Sequence, residues 1–327
     1  MQKTFRCTTA LLAAALFAAL TTPAQAQTGS FHGVNWADTR DNYASDALIL
    51  SGTASSDSYS TRKAIAQRVA QQFKAAISGV NTVRIPINPP TASSPTWSVY
   101  RGVIDGLRAE GMTVIIGYWE PNGGNGRIPN QSAYNTMWDT VVAAYQSDSG
   151  VIFEPMNEPR GYSASEWFTV AANWISRYSS LTRSRILIDG EGYSDRVTTA
   201  CADSRLNGTR LSVHDYAFSQ GAKNYNEWMA DLKNRIGSCA SRAILTEFGT
   251  FMNKGYDFNA GSSINEVVYF QGMTQVARDM GIGTVYWPGL RDGDNYSMTT
   301  RSGSGSSLTL SVVDSTARDR LRYGWGY

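Results

Sequence analysis

The chain has 327 residues, with 29 Lys and Arg against 27 Asp and Glu, two His and three Cys. At 42% hydrophobic and 17% charged residues it can bury a core, which argues against disorder, and its length excludes a disulfide-stapled mini-protein. Its charges are spread without a basic stripe for nucleic acid, and two histidines leave little room for a histidine-rich metal site.

Residues 1–26 read as a secretory signal peptide. Lys3 and Arg6 precede an apolar run from Ala10 to Leu20 that is too short to span a bilayer comfortably. The small-residue pattern Ala24-Gln25-Ala26 predicts a cut before Gln27. The predicted mature chain, residues 27–327, loses both of those cations and Cys7, so its formal charge falls to zero. Export leads to the periplasm or the medium, an oxidising compartment in which Cys201 and Cys239 are expected to pair. No membrane association is expected once the signal is removed.

Eight short apolar runs follow. They are FHGVNW (31–36), TVRIPIN (82–88), TVIIGYW (113–119), VIFEPMN (151–157), RILID (185–189), LSVHDY (211–216), AILTEF (243–248) and GTVYWP (283–288). β-Branched residues without strict alternation suit parallel strands buried on both faces. Between them lie helical stripes: Ile65, Val69, Phe73 and Ile77 in 61–78, and Tyr134, Trp138, Val141 and Tyr145 in 131–146. Ser163-Ala164-Ser165-Glu166 predicts a capping box for a helix to about Leu181. Ser263-Ile264-Asn265-Glu266 predicts another for a helix to about Met280.

Strands alternating with helices in this number predict a single α/β domain, a (β/α)8 (TIM) barrel. An open doubly wound sheet would carry a glycine-rich phosphate turn after its first strand, and Asn35-Trp36-Ala37-Asp38 is not one. The Gly/Ser run 302–307 reads as a loop, with LTLSVV (308–313) as one extra strand. Loops 37–60, 118–130 and 250–262 are expected at the barrel mouth.

Catalytic groups of such barrels sit at the C-terminal strand ends. Those ends carry Arg84, Asn157 with Glu158, His214 with Tyr216, Glu247 and Trp287. Two acids facing each other across a mouth are what glycoside hydrolysis requires. One protonates the leaving oxygen, and the other attacks the anomeric carbon or activates water. Their environments must differ so that one stays protonated and the other ionised.

Phe153-Glu154-Pro155-Met156-Asn157-Glu158-Pro159 resembles the Asn-Glu-Pro signature of glycoside hydrolase family 5, the cellulase-like (β/α)8 barrels. That resemblance implies a retaining glycosidase acting on a β-glucan or related β-glycan, with Glu158 as acid/base. Leu245-Thr246-Glu247-Phe248-Gly249 resembles the strand-seven nucleophile motif and implies Glu247 as nucleophile. By the same resemblance, Arg84 matches the strand-two Arg, His214-Asp215-Tyr216 the strand-six His-x-Tyr, and Trp287 the strand-eight Trp. These imply substrate contacts from Asn157, His214 and Trp287, with Arg84 and Tyr216 orienting the nucleophile. The family's strand-three His is missing. Gly117-Tyr118-Trp119-Glu120 stands there, so Tyr118, Trp119 or Glu120 is expected to fill that space.

Trp36, Trp119, Phe251 and Trp287 are expected to stack on sugars, whereas Trp97, Trp138, Trp167, Trp174 and Trp228 follow helical patterns and belong to core. Asp292 and Asp294 lack the full calcium-loop pattern. The reading requires no metal or cofactor and takes the protein as a monomer. A transglycosylase of the same mechanism and a non-catalytic carbohydrate-binding barrel remain as alternatives.

Overall fold

The computed structural model describes residues 28–327, and the predicted signal peptide lies outside them. Strands and helices alternate as β1 (His32–Trp36), α1 (Tyr59–Ala76), β2 (Thr82–Ile87), α2 (Thr96–Ala109), β3 (Thr113–Tyr118), α3 (Gln131–Tyr145), β4 (Val151–Glu154) and α4 (Ala164–Arg177). Then come β5 (Leu187–Asp189), the short α5 (Glu191–Ser194) and α6 (Thr198–Ala202), β6 (Arg210–Tyr216), α7 (Tyr225–Ile236), β7 (Ala243–Gly249), α8 (Asn265–Met280) and β8 (Gly283–Leu290).

All eight predicted strand runs are strands. They pair in parallel in the order β4-β3-β2-β1-β8-β7-β6-β5. The ring is nearly closed: β4 and β5 meet through a single parallel bridge, Phe153 to Ile186. The Gly/Ser run turns a hairpin between β9 (Thr299–Ser302) and β10 (Thr309–Val312), so the extra strand has a partner that the sequence reading missed. The chain closes with α9 (Ser315–Gly324).

Helix starts follow capping chemistry. Ser58 accepts from the Thr61 amide, Asn130 from that of Ala133, and Ser163 forms its box with Glu166. A second box, unread in the sequence, joins Asn224 to Glu227. The box expected at Ser263 does not form. α8 starts at Asn265 with Ile264 as its cap, so Glu266 falls one position short of the third helical residue that a box needs. The helix begun at Ser163 also stops at Arg177, four residues early.

A period of two along each strand sorts the barrel interior into tiers. Ile115, Ile152, Leu187, Ile244 and Val285 cluster with Phe31 as an apolar floor. Two residues further along the same strands stand Gly117, Glu154, Asp189, Thr246 and Trp287. Trp287 and Trp119 then form a small aromatic cluster at the mouth, with Tyr43 and Tyr216 packed against it. The main core lies between the strands and the helical ring and holds Trp138, Trp167, Trp174 and Trp228, with Trp97 packed on its edge.

Cys201 on α6 and Cys239 just after α7 form a disulfide with Cα atoms 6.2 Å apart. Gly237 permits the approach: its φ is +58°, and a Cβ there would meet Thr198 Cγ2 at 2.7 Å. The bridge closes a sequence separation of 38 residues, worth about 4 kcal/mol in the chain-entropy model. Reduction, or Cys239→Ala, is expected to lower unfolding stability by roughly that amount. Denaturant melts with and without reductant measure it, and coincident midpoints would refute it.

Candidate active site

The mouth of the barrel holds a cavity of about 700 Å³ whose walls include Tyr43, Trp119, Asn157, Glu158, His214, Tyr216, Glu247 and Trp287. One carboxylate oxygen from each of Glu158 and Glu247 and a ring nitrogen of His214 lie within 4.8 Å of one another.

The two acids reach this point by different local devices. Glu158 lies past the end of β4 with φ of +45°, a left-handed conformation that strains a non-glycine residue and turns its side chain back over the mouth. Glu247 depends on a bulge. Val213 pairs with Leu245 but His214 pairs with Glu247, so Thr246 is an extra residue in β7, and Glu247 is re-aimed inward beside it.

Their partners also differ. Arg84 Nη1 donates to Glu247 Oε1, and Tyr216 Oη donates to Glu247 Oε2 at 3.1 Å. Glu158 Oε1 meets His214 Nδ1 at 3.0 Å, and its Oε2 accepts from Tyr43 Oη at 3.4 Å. Burial pushes the Glu158 carboxyl up to about 7, against the opposing pull of Arg84. Burial also raises Glu247, but His214 and the Arg84 guanidinium that donates to it work the other way. Burial lowers His214 to about 4, so its ring is neutral at neutral pH.

Arg84 is fully buried below this cavity and does not line it, so it reaches the nucleophile candidate Glu247 from beneath rather than a bound sugar. It works through others. Its Nε donates to Glu154 Oε2 at 2.6 Å, its Nη2 to Glu154 Oε1 and to Asn157 Oδ1, and its Nη1 to Asn35 Oδ1. Because Arg84 takes the Asn157 oxygen at 2.8 Å, the Asn157 amide nitrogen faces Tyr43 and the cavity as a donor. Gly117 makes room for this network, since a Cβ there would lie 2.7 Å from Glu154 Oε2.

Trp119 fills the strand-three position. Its ring covers the Arg84 guanidinium at 4.3 Å and stacks near Trp287, with centroids 6.4 Å apart and planes inclined by 24°. Four other expected contacts turn away. Trp36 is 0% exposed, lies in the main core and donates Nε1 to Ser51 O at 2.9 Å. Tyr118 packs edge-on against Tyr134 of α3, outside the barrel. Both point outward because their strand neighbours Asn35 and Gly117 point in. Phe251 packs on Tyr296 beside the cavity rather than in its wall.

Glu120, the fourth, is buried and holds loops together. It pairs with Arg160, and its Oε2 accepts from the Gly126 amide at 2.8 Å. Glu120→Ala is therefore expected to cost about 1–3 kcal/mol of stability, the penalty for orphaning buried donors. Denaturant melts and a substrate panel check this. A changed substrate preference at unchanged stability would restore the direct-contact reading.

Groups that the sequence reading did not assign complete the site. Tyr43 comes from the β1 loop, and Glu154 and Asp189 lie one tier below the acids. Exposed Tyr193 and Phe218 stand at the rim beyond Glu158 and Tyr216. Arg291 ties Asp41 to Asp294 across the mouth at 2.8 and 2.6 Å, and Asp292 pairs with Arg301 at 2.6 Å, so both acids of that loop already have an arginine partner. Glu154, Asp189 and His214 are spaced to hold a cation, as are Glu158, His214 and Glu247. Arg84 already supplies positive charge to both sets.

Residues 41–289 match the model of the cellulase family, glycosyl hydrolase family 5. The fold is shared with several solved structures. Cel5A from Hypocrea jecorina (Trichoderma reesei) is 20% identical, with a TM-score of 0.61 over 87% of this chain and 96% of that one. The endo-β-1,4-glucanase Xac0029 from Xanthomonas axonopodis pv. citri is 19% identical, with a TM-score of 0.59 over 89% and 98%. An endocellulase from Pyrococcus horikoshii, solved as a complex with cellotetraose, is 13% identical, with a TM-score of 0.62 over 90% and 92%.

Proposed function

The chain belongs to glycosyl hydrolase family 5, and from that premise we propose that it is an exported endo-β-glucanase that cleaves with retention of anomeric configuration. The observation that carries this reading is the approach of Glu158 and Glu247, with carboxylate oxygens within 4.8 Å. Carboxyls about 5–5.5 Å apart suit direct attack on the sugar, whereas about 6.5–9.5 Å is needed to admit a water between acid and base.

In this reading Glu247 is the nucleophile, ionised because Arg84 and Tyr216 donate to its two oxygens. Glu158 holds its proton near neutrality and gives it to the glycosidic oxygen as Glu247 attacks the anomeric carbon. The C–O bond to the leaving sugar breaks and an ester to Glu247 forms. That ester removes a negative charge from beside Glu158, so Glu158 ionises more readily. It then takes a proton from the water that hydrolyses the ester. Asn157 donates to a sugar hydroxyl, and Trp119 and Trp287 offer their faces to pyranose rings.

The activities of the structural neighbours, an endo-β-1,4-glucanase and an endocellulase among them, favour a β-1,4-glucan as substrate, cut internally. Proton NMR of the first products from a soluble β-1,4-glucan tests the mechanism: the β-anomer is expected first. Initial release of the α-anomer would overturn it. Binding without turnover across a β-glycan panel would favour a lectin, and sugar-to-sugar transfer at high acceptor concentration a transglycosylase. For export, amino-terminal sequencing of protein recovered outside the cytoplasm is expected to begin at Gln27. Among the described residues no helix is long and apolar enough to cross a membrane.

A further inference from the structure

Beneath the two acids lies a carboxyl that the mechanism above does not use. Asp189, the last residue of β5, is fully buried. Its Oδ1 accepts from the Glu158 amide at 3.3 Å and from Ser194 Oγ, and lies 3.8 Å from His214 Nε2. Its backbone oxygen accepts from Trp167 Nε1 at 2.8 Å. Its Oδ2 meets no N–H or hydroxyl donor among the described residues. The carboxyl of Glu154 lies beside it, with an oxygen of each acid within 4.8 Å.

The charges in this buried layer identify the species. Arg84 is the one cation, and it already answers Glu154 and Glu247. His214 is neutral. An ionised Asp189 would put a second uncompensated negative charge against Glu154, with no donor for Oδ2, a costly arrangement in a low-dielectric interior. Two facing carboxyls can hydrogen-bond only if one carries a proton. Glu154 receives both forks of the guanidinium, so the ionised form belongs there and the proton to Asp189.

We propose that Asp189 is a positioning residue that acts as a neutral carboxylic acid. Its Oδ2 proton is donated to Glu154, while its Oδ1 holds the amide of Glu158 in the left-handed backbone turn that aims the acid/base at the cavity. Burial and the charge of Glu154 both push Asp189 well above the usual carboxylate range, in keeping with this state. The proposal rests on the reading of Glu158 as acid/base.

The test compares Asp189→Asn with Asp189→Val in the whole protein. The amide of Asn supplies the same donor to Glu154 and the same acceptor to Glu158, whereas Val supplies neither. Asn is expected to keep kcat and the alkaline limb of the pH profile close to those of the parent. Val is expected to lose roughly ten-fold or more in kcat with a smaller change in KM, and to displace that limb. Loss of kcat in the Asn variant equal to that in Val would overturn the proposal.

A second readout is independent of activity. The folded parent keeps a proton on Asp189 that the unfolded chain releases above about pH 4, so the parent loses stability as pH rises from there. The Asn variant carries no such penalty, and its denaturation midpoint should gain on the parent between pH 4 and 7. An Asn variant whose midpoint fails to gain on the parent over that range would mean that Asp189 is ionised, and would sink the idea. Should Glu158→Gln retain the alkaline limb, the acid/base assignment falls instead, and the melting comparison still reports on the Asp189 proton.

Discussion

Glu247→Ala is expected to abolish hydrolysis, by roughly four orders of magnitude or more in kcat, the scale seen when one member of a catalytic unit is deleted. The loss is chemical, because the substitution removes the atom that attacks. It also leaves Arg84 with Glu154 as a remaining carboxylate partner, so the buried guanidinium is not orphaned. Circular dichroism should therefore report a folded protein. Azide at high concentration is expected to restore turnover and yield an α-glycosyl azide from an activated β-glycoside, because a small anion can enter the space vacated by the carboxylate. Retained activity without azide would place the nucleophile elsewhere.

Glu158→Gln is expected to separate substrates by leaving group. A natural glucan needs its leaving oxygen protonated, and general acid catalysis of this kind contributes roughly 10²–10⁴-fold. An aryl glycoside with an acidic phenol needs little help, so its first step should survive. In the parent, kcat/KM should fall as pH rises past about 7, because burial holds Glu158 protonated up to that point and the ionised form cannot donate. The limb belongs to the alkaline side because the active form is the protonated one. Rate–pH profiles for the two enzymes check this, and an unchanged alkaline limb in the Gln variant would overturn the assignment.

The eight strands were legible because apolar β-branched runs and helical stripes are written locally. The pair Glu158 and Glu247 was legible too, as acids where apolar strands end. What local pattern does not carry is which way a strand-end side chain points. Trp36 and Tyr118 stand beside the inward-facing Asn35 and Gly117, so alternation turns them out. Counting two residues up from the floor residues Ile152 and Leu187 reaches Glu154 and Asp189, a signal available in the sequence. The same count up from Ile244 reaches Thr246 rather than Glu247, because the bulge in β7 breaks the parity. Tyr43 had no such signal. It comes from a loop whose course is set by contacts such as the Asp38–Leu50 bridge and the Asp41–Arg291 pair.

The lone bridge between Phe153 and Ile186 has a kinetic consequence. Seven neighbouring strand pairs are joined by ladders, whereas β4 and the three-residue β5 are joined by that single bridge. The ring is therefore easiest to part along that seam, immediately beside the segment that carries Glu158. Amide protons of β5 should exchange with solvent ahead of those of β1 and β8. On warming, turnover should fade before bulk secondary structure, as partial opening moves the proton donor away from a nucleophile still held in the intact part of the wall.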